Sequence, residues 1–187
     1  MPPLIALGID PGFAFLGLGV VEVSSSSTRV LLHETFTTSA HDDTPARLDA
    51  IADRILDAID DDTPTIIAYE NQAGVEVGMQ LLREKEGKGG TNYSSRRVHE
   101  VSGIIRCAAR SAELPCYCLA PSTIKVALLG KGGGHAKKDQ LKTAVRRMLG
   151  VAGCSEHAAD ALAIAIGGVQ AHRRAQVLAR AHAALIR

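Results

Sequence analysis

Two acids in this sequence stand at the ends of apolar runs. Asp10 closes the run that starts at Leu4, and Glu70 closes the run Thr65-Ile66-Ile67-Ala68-Tyr69. Short apolar runs bounded by turn signals such as Asp10-Pro11-Gly12 read as buried strands. If the two strands are adjacent and parallel, both carboxylates emerge at one sheet edge, where open α/β sheets gather their ligands. Further on, His157 and Asp160 are three residues apart in a helical pattern and share one face. Together the four would offer oxygen and nitrogen ligands to divalent ions. Two metals about 4 Å apart activate a water and stabilise the leaving oxygen in phosphodiester hydrolysis. Without cations such carboxylates repel one another and the phosphate. Taken singly, each residue has a plainer reading. Asp before Pro-Gly is common turn chemistry, Glu70 is an ordinary strand end, and acids near a helix start suit its dipole.

The remaining pattern supplies the elements that must position these groups. Residues 4–10, 15–23 and 28–37 read as strands, the last two joined at the polar turn Ser24 to Ser27 in a hairpin meander. Residues 45–60 place Leu48, Ile51, Ala52, Ile55, Leu56 and Ile59 at helical spacing, with Asp49, Asp53, Asp57 and Asp60 on a solvated face. Strand 65–70 follows. The polar, glycine-rich stretch 83–97 reads as a mobile loop or a frayed helix end. A helix at 95–112, a strand at 115–119 and a short helix from Pro121 to Gly130 come next. Lys131-Gly132-Gly133-Gly134-His135 links them to a basic helix, 136–149. Ser155 is placed to cap a final helix carrying Ala161, Leu162, Ile164, Ala165 and Ile166, extended through an alanine-arginine tail at 170–187. Three strands followed by alternating helices and strands predict a mixed α/β sheet flanked by helices.

The chain has 187 residues, 46% of them hydrophobic and 22% charged, which suits one domain, 1–187, with a sizeable core. The absence of a long uncharged apolar run argues against a transmembrane helix, and Met-Pro-Pro is not the basic start of a signal peptide. A cytoplasmic, nucleoid-associated protein is expected, or one of the host cytoplasm if viral, and not a secreted one. Cys107, Cys116, Cys118 and Cys154 have no zinc spacing, and buried free thiols in a reducing compartment are expected. The net charge of +1 hides an asymmetry: residues 1–82 carry three Lys and Arg against thirteen acids, and residues 83–187 carry eighteen against seven. A basic half with a neutral total fits a surface that faces a polyanion, or merely a dipolar fold. The basic segment 130–138 lacks the spacing of a nucleotide-binding P-loop, which leaves a nucleic-acid backbone as the better match.

Four segments resemble, in order, the RuvC family of Holliday junction resolvases: Gly8-Ile9-Asp10-Pro11-Gly12, Leu16-Gly17-Leu18-Gly19, Tyr69-Glu70-Asn71-Gln72 and His157-Ala158-Ala159-Asp160-Ala161-Leu162-Ala163-Ile164-Ala165. Ala120-Pro121-Ser122-Thr123-Ile124-Lys125 and Ala136-Lys137-Lys138-Asp139-Gln140-Leu141 look like that family's basic segments. The resemblance implies a ribonuclease H-like fold and a homodimer that holds a four-way DNA junction and nicks two strands symmetrically. It implies that Asp10, Glu70, His157 and Asp160 are catalytic and bind Mg²⁺, with Mn²⁺ substituting and two ions per site. The resemblance implies a variable position at His157, where some members have Asp and others His, and a His there would bind metal or orient the attacking water. Lys125 and Lys138 match basic positions near the scissile phosphate, with Lys131 and Lys137 as DNA-binding neighbours. A helicase partner cannot be inferred.

The sequence departs from the family at Ala73, where many members carry an aromatic residue used at the junction centre. The stretch 83–97 is also longer than usual. Tyr93 is therefore expected to stack on unpaired bases, or Arg96 and Arg97 to clamp phosphates; a plain surface loop is the other reading. These departures keep open a broad branched-DNA nuclease of a phage or mobile element. A non-catalytic junction-binding protein and a relative of the sugar kinases and actin are further alternatives. The four-ligand set argues against the former and chain length against the latter. The apolar side of helix 98–112 (Val98, Val101, Ile105) is either a dimer surface or core.

Overall fold

Alternation along the first strand, β1 (Leu4–Asp10), sends Ala6, Gly8 and Asp10 to one side of a sheet and Leu7 and Ile9 to the other. The structure, a computed structural model, describes residues 3–71 and 93–185, the side chains of 93–95 excepted. Around β1 the sheet has the order β3-β2-β1-β4-β5. The strands β2 (Phe15–Val23) and β3 (Thr28–Thr37) form the antiparallel meander expected from the sequence. The strands β4 (Ile66–Glu70) and β5 (Cys116–Leu119) run parallel to β1. Two helices, α1 (Thr44–Asp62) and α2 (Tyr93–Ser111), cover one face, where Leu7, Ile9, Leu16, Leu18 and Ile67 meet Ile51, Ile55, Val101 and Ile105. The other face carries α3 (Pro121–Leu129), α4 (Lys138–Leu149) and the 30-residue α5 (Glu156–Leu185).

The ends of these helices follow local chemistry. Asp43 accepts a hydrogen bond from the Ala46 amide at 2.9 Å and starts α1. Ser155 does the same for α5, accepting from the Ala158 amide at 3.2 Å. The Ser155 hydroxyl is also 2.6 Å from that of Thr35, which ties the start of α5 to β3. The acids Asp49, Asp53, Asp57 and Asp60 are exposed, as their spacing requires.

The way α5 seats on the sheet decides the geometry of the whole face. A Cβ on Gly8 would overlap the Ala161 carbonyl oxygen and the Ala165 amide, and one on Gly17 would overlap the His157 carbonyl oxygen. On Gly19 it would lie 2.7 Å from the Leu162 nitrogen. The helix reciprocates with Ala161, Ala165 and Gly168, so backbone meets backbone with no side-chain layer between.

One expectation changes and two open readings are decided. Cys154 is buried, but Cys107, Cys116 and Cys118 are exposed free thiols. The two strand cysteines do share a side, but β5 is the edge strand, and Cys116 and Cys118 stay exposed on it. The apolar stripe of the second helix is core: Val101 and Ile105 have no exposed surface and pack on the sheet, so they supply no dimer surface. Finally, the helix begins at Tyr93, so residues 93–97 of the segment read as a loop or frayed end are helical; residues 72–92, with Ala73, lie outside the described residues. No helix among the described residues is long and apolar enough to cross a membrane.

Gly8→Ala is expected to destabilise the fold by about 1–3 kcal/mol or more, since rigid backbone must move to admit the methyl group. Gly103→Ala, on α2 with open space where its Cβ would go, is expected to stabilise by roughly 0.5–1 kcal/mol. Urea unfolding midpoints of both variants against wild type check the contrast.

Candidate active site

Asp10 and Glu70 end neighbouring parallel strands, and each lies an even number of residues from the positions that face α5. Both carboxylates therefore emerge on the α5 side. Asp10 is paired in register with Gly17, whose missing side chain lets the first turn of α5 lie directly against this corner of the sheet. That turn carries His157, and one turn on comes Asp160. All four line one cavity of about 420 Å³, together with Lys125 from α3 and Lys138 from α4. The convergence that the spacing required is present.

Within the cavity His157 is held on two sides. Its Nδ1 donates to an Asp10 carboxylate oxygen at 2.8 Å. Its ring stacks on Phe15, with centroids 5.7 Å apart and planes inclined by 13°. The Asp10 hydrogen bond raises the imidazole pKa, because the acceptor favours the protonated ring. Burial, and then the charges of Asp10 and Asp160, push the Glu70 carboxyl up to about 7. Burial likewise raises Asp160, although Lys138 opposes it. Burial works against the Lys138 ammonium, but its hydrogen bond to Glu156 and the charge of Asp160 raise its pKa.

The donor set fits divalent cations. Three carboxylates and an imidazole share a half-enclosed cavity, and burial first, then the charges of Asp10 and Asp160, make Glu70 hard to ionise. A cation would offset those charges. Among the described residues no three of these side chains already stand in ligating array. Their oxygens are turned to protein partners instead: Asp10 to His157, and Asp160 to Lys138 at 3.1 Å.

The other DNA-binding candidates divide. Lys125 and Lys138 face the carboxylates, whereas Lys131 and Lys137 are exposed outside the cavity wall, on the connection between α3 and α4. Arg96 is exposed on α2. Arg97 meets Glu100 at 2.7 Å and lies 5.5 Å from the Phe13 ring centroid. On the same ring, at 4.0 Å, sits Arg47, whose Nε donates to Thr38 at 2.9 Å. The Tyr93 backbone opens α2, and its side chain is outside the described residues.

Two neighbours of the site escaped the sequence reading. Phe15 begins β2 on the side that faces α5, opposite the core positions Leu16 and Leu18, so strand alternation carried the signal. Glu156 immediately precedes His157, yet nothing local announces that it reaches both Lys138, at 2.7 Å, and Lys142, at 2.8 Å.

A three-strand meander continued by parallel strands, with acids at two parallel strand ends and on the crossing helix, defines a nuclease of the ribonuclease H-like class. The sequence profile described as crossover junction endodeoxyribonuclease RuvC matches residues 6–79 and 89–168. A crossover junction endodeoxyribonuclease RuvC of Thermus thermophilus is 33% identical over 168 residues, covering 87% of this chain and 92% of the relative. That of Granulibacter bethesdensis is 31% identical over 182 residues, covering 96% and 92%. Among solved structures, Thermus thermophilus RuvC in complex with a Holliday junction substrate is similar with TM-score 0.72 and 32% identity, over 88% of this chain and 92% of that one. The chain belongs to the RuvC family, whose enzymes are metal-dependent nucleases.

The raised Glu70 value has a consequence for the metal-free protein. A carboxyl with a folded-state pKa near 7 and an ordinary value of 4.5 favours folding when protonated. That contribution is fully present below pH 4.5 and is lost as pH rises through 7. Glu70→Gln is therefore expected to unfold like wild type at pH 4.5, and to be more stable at pH 8 by roughly 1–2 kcal/mol after solvent screening. Denaturant titrations in EDTA at the two pH values measure this, and equal stability at pH 8 would contradict the carboxylate crowding.

Proposed function

We propose that this chain is a structure-selective endonuclease that resolves four-way DNA junctions by paired, symmetric, metal-dependent hydrolysis of phosphodiesters. The observation that carries this reading is the meeting of Asp10, Glu70, His157 and Asp160 with Lys125 and Lys138 in one cavity, in a chain of the RuvC family. The proposal takes residues 1–187 as one nuclease domain that works as a homodimer on branched DNA in the cytoplasm, with the nucleoid as its place of action.

Asp10, Glu70, His157 and Asp160 would hold Mg²⁺, with Mn²⁺ able to substitute and two ions per site. The ions would supply Lewis-acid activation of water and offset charge on the scissile phosphate. Lys125 and Lys138 attract the phosphate to the cavity and offset the charge that grows on it in the transition state. Asp10 fixes one nitrogen of His157 and Phe15 fixes its plane, which leaves the second ring nitrogen as a ligand or as the group that orients the attacking water. Lys131, Lys137, Arg96 and Arg97 would grip the DNA backbone away from the reacting atoms, and Tyr93 would stack at the junction.

On a labelled synthetic four-way junction with Mg²⁺, wild-type protein is expected to leave two symmetric nicks. Asp10→Asn is expected to abolish them while retaining junction binding, and that binding is expected to fall steeply with salt. Cuts spread over forks, flaps and junctions would identify a broader branched-DNA nuclease. Tight binding without any metal-dependent cut, or an active species at monomer mass in sedimentation, would overturn the corresponding part of the proposal.

A further inference from the structure

Two acids one helical turn apart at the start of α5, Glu156 and Asp160, face two lysines one turn apart on α4, Lys138 and Lys142. Lys138 Nζ is shared between them, 2.7 Å from Glu156 and 3.1 Å from Asp160. Glu156 is in turn fixed by Lys142, 2.8 Å away, whose side chain is only 14% exposed. Asp160 lines the cavity and belongs to the cation-binding set proposed above, whereas Glu156 is not part of the cavity wall. The same ammonium therefore bridges a group inside the site and a group outside it.

We infer that Glu156 is a positioning residue that draws Lys138 partly off Asp160, so that Asp160 stays open to a divalent cation while Lys138 stays at the cavity rim for phosphate. This rests on the proposed metal site. An ammonium has few directions in which to satisfy itself here. With Glu156 present, the shorter ion pair points outward and Asp160 holds the longer one. Without Glu156, Lys138 has Asp160 as its remaining carboxylate, and the cation must displace a full ion pair to reach that oxygen. Lys142 works upstream by keeping the Glu156 carboxylate in place. The arrangement sets both the affinity for cation and the place of the phosphate-binding lysine through one side chain that touches neither metal nor DNA.

Mn²⁺ binding followed by calorimetry on the full chain without DNA separates this from a general charge effect. Glu156→Gln is expected to weaken Mn²⁺ binding roughly three- to fivefold, the upper part of the range of exposed ion pairs, and Glu156→Asp is expected to recover part of the loss. In a Lys138→Met background the cation meets no competitor, so adding Glu156→Gln is expected to change affinity by less than about twofold if coupling runs through the lysine. Equal losses in both backgrounds would overturn the inference in favour of direct long-range attraction between Glu156 and the cation. A wild-type protein that binds no Mn²⁺ would overturn the metal site itself, while normal wild-type binding with an unaltered Glu156→Gln would overturn only the role of Glu156. Melting temperatures of the four variants, expected to stay near wild type because Glu156 and Lys138 are half-exposed, exclude unfolding as the cause.

Discussion

Everything at the active corner depends on backbone-to-backbone contact between α5 and the strands β1 and β2. Gly8, Gly17 and Gly19 have no side chains because the helix occupies that volume. The consequence reaches the chemistry through register. Gly17 stands opposite Asp10, so the close approach at Gly17 sets the first turn of α5, with His157, within hydrogen-bond reach of the Asp10 carboxylate. A larger residue in that seam would lift the helix by part of a side-chain layer. The functional groups would then be too far apart to share an ion, however well each was preserved.

Such closeness has a cost that the rest of the cavity must offset. Burial in a pocket shared with other acids makes Glu70 and Asp160 resist ionisation, and the elevated Glu70 value expresses that resistance. The surroundings answer it in several ways: His157 donates to Asp10, Asp160 shares Lys138 with Glu156, and Lys125 faces the same space. The pocket is thus braced by protein ion pairs. Catalytic sites commonly sacrifice local stability in this manner, and the stress is legible as shifted protonation rather than as distorted backbone.

Much of this was legible in the chain before any coordinates. The strand ends at Asp10 and Glu70, the three-residue spacing of His157 and Asp160, the Ser155 cap and the hairpin at Ser24 to Ser27 all express short-range rules, and each appears in place. What the sequence left undecided needed three-dimensional neighbours. Whether the stripe Val101 and Ile105 served a partner or the core depended on which face of the sheet lay beneath it. Cysteine composition favoured burial, but the edge position of β5 exposes Cys116 and Cys118. The reach of Glu156 depends on α4 lying alongside α5, a pairing that no local pattern encodes. Phe15 stood closer to prediction, since its alternation with Leu16 and Leu18 already assigned it to the α5 side.

The division of charge along the chain acquires a spatial meaning from the sheet. The acidic surplus of the first half is concentrated on the solvent side of α1, which lies across the sheet from the cavity. The lysines of α3 and α4 lie on the cavity side, beside the carboxylates they accompany. The sheet and its two apolar layers thus stand between the exposed aspartates and any phosphate at the site, at separations where salt screens much of what repulsion remains. A chain with almost no net charge thus carries the α1 aspartates on one side of the sheet and the lysines of α3 and α4 on the other. The separation by layers is incomplete: α2, with Arg96, Arg97, Arg106 and Arg110, shares the face of α1. Asp10 and Glu70 are the instructive exceptions: they come from the acidic half and cross to the basic face by strand alternation alone.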